Sequence, residues 1–200
     1  MSAFTTATRR RSGLHGSAGP YGLRTLHRAA ALRIGFGLLW AIDASFKWQP
    51  GFIDGRTLDD ELGQGSTVHT PVIHQWIEVW HSVASASPGA FAVGTAVVET
   101  CIAAALILGL FSNAVFIGSA VYALGIWSSA EAFGLPWDTP GITDVGPAVA
   151  YVFASLALFQ AAAGATWSLD AVIRPKLGPR LGRLTGASPE QPAAEPLAAA

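Results

Sequence analysis

Four apolar runs constrain this chain more than anything else in it. Gly89 to Phe111 has 23 residues and a single charge, Glu99. Ala114 to Ala130 has 17 residues and Val145 to Trp167 has 23, and neither contains Asp, Glu, Lys or Arg. An earlier run, from about Leu26 to Ala44, is broken by Arg28 and Arg33 near its start and by Asp43 at its end. A helix crossing a hydrocarbon core of ~30 Å needs about 20 residues. Lipid offers the backbone no hydrogen-bond partners, so runs of this kind are expected to be helical. The expected fold is therefore an all-α, integral membrane four-helix bundle, with helices at about 26–44, 89–111, 114–130 and 145–167. Residues 1–22 and 174–200 have no apolar period and are read as flexible tails flanking a domain over 23–173.

The basic residues set the orientation. Arg9, Arg10, Arg11, Arg24, Arg28 and Arg33 precede or open the first helix, and Arg174, Lys176, Arg180 and Arg183 follow the fourth. Only Lys47 and Arg56 of the twelve lie elsewhere. The positive-inside rule then puts both chain ends in the cytoplasm of a multi-pass protein of the cell membrane. A cleaved signal peptide is the competing account of residues 1–44, but Ile42-Asp43-Ala44 is a poor small-residue cleavage site. In the long outer loop, 45–88, the stretch from about 71 to 83 has helical spacing. Val72, Trp76, Val79 and Val83, beside Ile73, Ile77 and Trp80, mark a short helix lying along the outer membrane surface.

Several functions are excluded by what is missing. A net charge of −1 gives no basic excess for nucleic acid. One cysteine, Cys101, cannot run a thiol–disulfide relay alone. His15, His27, His69, His74 and His81 all lie outside the deep parts of the runs, so no bis-histidine haem is expected. No glycine-rich phosphate loop is present, so no nucleotide is expected either. His74, Glu78 and His81, at i, i+4 and i+7 with His69 nearby, are weak metal candidates. The plainer reading of that face is the wet side of an interfacial helix, and no metal is favoured.

The polar residues inside the runs converge by depth. Glu99 falls roughly 15 Å in at 1.5 Å per residue. Asp43 and Lys47 end the first helix, Glu131 follows the third, and Asp144 starts the fourth, where it is also a candidate cap. Tyr122, Trp127 and Tyr151 lie at middle to outer depth. An ionisable group in hydrocarbon marks a site by default. Glu99, Glu131 and Asp144 are thus the candidate chemical groups, and Asp43, Lys47, Tyr122, Trp127 and Tyr151 the candidate pocket. Glu99 is expected either as a protonated hydrogen-bond donor or paired with Lys47. Small residues at Gly146, Ala150 and Ala154, and at Ala114 and Gly118, suggest packing ridges.

Three stretches, Phe46-Lys47-Trp48-Gln49-Pro50-Gly51-Phe52, Glu131-Ala132-Phe133-Gly134-Leu135-Pro136 and Gly141-Ile142-Thr143-Asp144-Val145-Gly146, stand at corresponding places of a four-helix chain. Over roughly residues 24–173 the sequence resembles the DoxX/DoxD family of small membrane proteins, with Ala132 where relatives often carry Gly. The resemblance implies a membrane subunit of a quinone-linked redox system of the thiosulfate:quinone oxidoreductase type. Quinone would be a diffusible co-substrate, with a protein partner or a second copy of the chain in the lipid membrane. Glu131 and Asp144 match the family's motifs, but no set of catalytic residues carries over. Two other functions stay open: a small proton-coupled transporter with Glu99 as the titrating group, and a non-catalytic anchor or assembly protein.

Overall fold

A computed structural model describes residues 22–64, 68–134 and 144–186, and these contain helices and turns but no strand. The order is α1 (Leu23–Lys47), α2 (Pro50–Ile53), α3 (Arg56–Gln64), α4 (Pro71–Ser85), α5 (Pro88–Leu108), α6 (Ser112–Ser128), α7 (Ala148–Gln160) and α8 (Asp170–Ile173). Proline opens α2, α4 and α5, where its fixed φ fits the first turn and its missing N–H costs nothing. α5 stops at Gly109, which takes φ 65° and returns its N–H to Ala105.

α1 packs chiefly on α5 and α6 on α7. Phe36 and Trp40 of α1, Ala103 and Leu106 of α5, Phe116 and Ala123 of α6, and Leu158 of α7 share one core. At Gly37 the first pair comes so close that a Cβ would press on Leu106 and Ile107. The second pair is joined by a buried hydrogen bond, Ser119 Oγ to Ser155 Oγ at 2.9 Å. The chain alternates direction through the four. One end, here the lower, gathers the start of α1, the end of α5, the start of α6 and the chain after α7. The upper end gathers Lys47, Pro88, Ser129 and Ala148.

α1, α5 and α6 lie within three residues of their expected bounds, but the fourth helix does not. Only Ala148–Gln160 of the expected 145–167 is helical, about 20 Å at 1.5 Å per residue. Gly146 with φ 83° and Pro147 delay its start, and Ala162 with φ 50° turns the chain after its end. Thus α1 and α5 are long and apolar enough to cross a membrane, while α6 and α7 are shorter apolar helices. The small-residue ridges are corrected as well. Gly146 precedes α7, Ala150 and Gly118 are exposed, and the buried contact runs through Phe116, Ser119 and Ala123.

The irregular chain after α7 is held from below by charge. Arg33, fully buried, donates Nη1 to the Ala163 carbonyl at 3.2 Å and Nη2 to that of Trp167. Asp170, 1% exposed, accepts the N–H groups of Phe111, Ser112 and Gly186 at 2.7–2.8 Å, and so caps α6. Residues 174–186, expected to begin a free tail, therefore fold back, with Thr185 buried and Gly186 against Gly164. The expected tails at 1–21 and 187–200 lie outside the described residues.

The loop 45–88 holds three helices rather than one. α4 divides its apolar residues between two faces. Ile77 and Ala84 are buried and Ile73 and Trp80 half-buried, whereas Val72, Trp76, Val79 and Val83 are exposed. α3 packs against it, and His81 Nε2 meets Asp59 Oδ1 at 2.9 Å.

Candidate functional site

Trp40, Asp43 and Lys47 follow one another at three and four residues on α1, and so share one face of it. That face meets Glu99 of α5, Tyr122 of α6 and Tyr151 of α7. Tyr122 donates its hydroxyl to Glu99 Oε1 at 3.3 Å, and Tyr151 donates to Asp43 Oδ2 at 2.6 Å. Trp40 sits between the tyrosines, its ring 6.0 Å from that of Tyr122 and 5.0 Å from that of Tyr151, the latter edge-on. Glu99 and Trp40 are each only 2% exposed. Yet among the described residues Glu99 Oε2 and Trp40 Nε1 have no hydrogen-bond partner. Native proteins leave few buried polar atoms unpaired, so two beside a cavity mark a place prepared for something else.

Two cavities meet there. The smaller, about 260 Å³, is lined by Trp40, Asp43, Lys47, Glu99, Glu131 and Tyr151 among others. The larger, about 470 Å³, is mainly apolar and lies beneath α3 and α4, with Leu58, Leu62, Trp76, Trp80 and Phe91 in its walls. Lys47, Glu99 and Ile126 belong to both linings. Lys47 does not form the ion pair with Glu99 that the sequence left open. Its Nζ instead stands 4.3 Å from the centre of the Phe52 ring, a cation–π contact.

Six of the sequence candidates converge here: Asp43, Lys47, Glu99, Tyr122, Glu131 and Tyr151. Two do not. Trp127 donates Nε1 to the Val145 carbonyl at 2.6 Å and packs edge-on against Phe133, which makes it a strap over the chain entering α7. Asp144 is exposed and turns its carboxylate to the N–H of Gly146 at 2.8 Å. The cap expected of it falls to Glu131, both of whose carboxyl oxygens lie 3.1 Å from the Ala148 N–H. Burial raises the Glu131 carboxyl above the ordinary carboxylate range; the Ala148 N–H opposes this and the charge of Asp144 adds to it. Of the metal candidates, His81 is engaged with Asp59 and Glu78 is exposed. Among the described residues no three His, Cys, Asp or Glu side chains group as a metal site.

Sequence reasoning missed Trp40, although its three-residue spacing from Asp43 put it on the right face. It also missed the second cavity, which depends on α3 folding over α4. Comparisons with protein-family models, curated proteins and solved structures gave no match, so the chemistry of the site rests on its own residues.

Proposed function

We propose that the chain is a four-helix integral membrane protein of DoxX/DoxD type, a membrane subunit of a quinone-linked redox system whose polar pocket opens to the outer side. The membrane part is supported by a surface turned inside out. Leu32, Val121 and Phe153, on three different helices, are 65–69% exposed, while Arg33, Glu99, Ser119, Ser155 and Asp170 are buried. Soluble monomers rarely present apolar surface on this scale. Irregular backbone at membrane depth is tolerated only where protein satisfies it. Arg33 does so for Ala163 and Trp167, and Leu169 and Asp170 donate their N–H groups to Leu108 and Gly109. Ten of the twelve basic residues belong to the segments of the lower end or to the chain beyond them, which makes that end cytoplasmic.

Orientation is checked by labelling with an impermeant thiol reagent after Cys101→Ala. Ser188→Cys should stay unlabelled in intact cells; Ser188 lies outside the described residues. For an outer position Asp60→Cys is better than Gly55→Cys, because Gly55 has φ 84° and a Cβ there would overlap Pro88. Labelling of Ser188→Cys and not of Asp60→Cys would reverse the topology.

The redox part is carried by one observation: the unpartnered Trp40 Nε1 and Glu99 Oε2 beside two tyrosine–carboxylate pairs. A quinone carbonyl accepts from an indole N–H, and the ring fits among aromatic side chains. Two-electron reduction of a quinone consumes two protons. Glu99 and the Asp43–Tyr151 pair are the groups placed to pass them. The electrons come from a protein partner or from a reduced substrate. A short-chain benzoquinone titrated into the reconstituted protein should quench tryptophan fluorescence saturably. Trp40→Phe, which deletes the indole donor, should weaken binding roughly tenfold, the effect of one lost hydrogen bond in a buried site. Quenching that never saturates would sink the quinone reading.

A further inference from the structure

We infer that the larger cavity, under α3 and α4, is a second ligand site, for a neutral single-chain lipid that ends in a hydroxyl group. The inference rests on the membrane reading above but not on quinone in the smaller pocket. Three observations carry it. First, the cavity is roomy and apolar, and its volume of about 470 Å³ lies within the ~300–1000 Å³ of ordinary small-molecule sites. Second, it opens sideways. Val121 and Leu124 line it and are nevertheless 65% and 46% exposed, as is Trp76 at 42%. In the proposed setting that flank of α6 faces lipid, so a chain enters from the bilayer rather than from water. Third, its walls are not apolar throughout. Among the described residues, Trp80 Nε1 is a buried donor without a partner, and Glu99 Oε2 is a buried carboxyl oxygen without one.

Those two atoms select the head group. An indole N–H needs an acceptor, whereas a carboxylate oxygen needs a donor. A hydroxyl is both. A fatty-acid carboxylate would meet Glu61 and Glu99, both in the lining, with only Lys47 to offset them, and like charges in a poorly solvated site repel. A long-chain amine is protonated and has no lone pair for the Trp80 N–H, whatever it gains from the two carboxylates. The neutral alcohol avoids both penalties. Because Glu99 and Lys47 also border the smaller pocket, an alcohol in this cavity touches the same carboxyl that faces whatever occupies the other.

Gly125 provides the clean test. It lines the cavity, and a Cβ built on it meets no atom within 4 Å, so Gly125→Leu has room at its branch point and adds bulk to the cavity wall. The full chain in lipid nanodiscs is irradiated with hexadecanol carrying a mid-chain diazirine, and the labelled peptides are mapped by mass spectrometry. Label should concentrate on the segments bearing Trp76, Phe91 and Leu124, and unlabelled hexadecanol should compete it away. Gly125→Leu should lower it roughly tenfold with unchanged melting. Val121→Trp, at the exposed mouth, should do the same if Gly125→Leu fails to fold. A tailless benzoquinone should not compete, which separates this site from the smaller pocket. The inference is overturned by label on Leu32 and Phe153 segments as strong as in the cavity. It is equally overturned by indifference to both variants, or by a diazirine-bearing hexadecane that labels the cavity as well as the alcohol does.

Discussion

Asp170→Ala should destabilise the protein more than any other single truncation, by about 3–5 kcal/mol, the cost typical of stripping one partner from a buried charged cluster. The carboxylate takes three backbone N–H groups from Phe111, Ser112 and Gly186. Hydrogen bonds to a charged acceptor contribute ~1.5–3 kcal/mol each, and donors left buried without one carry a desolvation cost besides. Arg33 adds to the loss. It is fully buried and, among the described residues, donates only to the carbonyls of Ala163 and Trp167, so removal of Asp170 takes away an opposite charge that acts on it and leaves the guanidinium uncompensated. Against a native stability of order 5–15 kcal/mol this is a large fraction. The measurement is thermal melting and monodispersity in mild detergent. Asp170→Asn, which keeps one carbonyl acceptor, should fall between the parent and Asp170→Ala. If Asp170→Ala melts with the parent, the cluster is incidental and α6 starts for other reasons.

That cluster shows where the sequence stopped being legible. Helix positions on α1, α5 and α6 follow from apolar length and from proline and glycine at their ends, which are local signals. The convergence of Asp43, Glu99, Glu131 and Tyr151 followed from depth alone, because alternating direction brings like depths together. Arg33 and Asp170 lie in segments far apart in sequence, and nothing in either segment names the other. Arg33 read as one more cytoplasmic charge, and Asp170, between the fourth apolar run and the tail, drew no reading of its own. The shortness of α7 was hidden for a related reason. Hydropathy records that Ala161 to Trp167 avoid water, not that their backbone is helical. Here Arg33 and the end of α5 take up the backbone groups that a helix would have satisfied internally. Asp144 and Trp127 lie at the same end of the bundle as the other candidates, but a backbone turn at Gly146 aims the first at its own chain and Val145 holds the second.

Under the proposed quinone function, Glu99→Gln is expected to leave the fold standing and to remove proton-linked turnover, by roughly 10²–10⁴-fold when Glu99 transfers protons in the rate-limiting step. The two halves of that expectation have separate grounds. Stability is spared because Tyr122 can donate to the amide oxygen of Gln as it does to Glu99 Oε1, and the side chain keeps its shape. Lys47 does not depend on the carboxylate for its place, since it rests over Phe52 and borders two open cavities. Removing the acid therefore strands no buried cation, and the 3–5 kcal/mol cost of a broken pair should not appear. Turnover is lost because an amide neither takes up nor releases a proton at working pH, and Oε2 is the carboxyl oxygen that no described residue engages. Glu99→Leu serves as the contrast. It leaves the half-buried Tyr122 hydroxyl without its acceptor, for about 1–3 kcal/mol of lost stability, and is inactive as well. Lys47→Met should melt close to the parent on its own and should not rescue either variant. The assay is quinone reduction or quinol oxidation by the protein with its electron donor in membranes, beside melting curves for the same preparations. A Glu99→Gln protein that melts far below the parent, and is restored by Lys47→Met, would mean that the ion pair forms in the membrane after all. A Glu99→Gln protein with the parent's stability and the parent's rate would remove Glu99 from the chemistry.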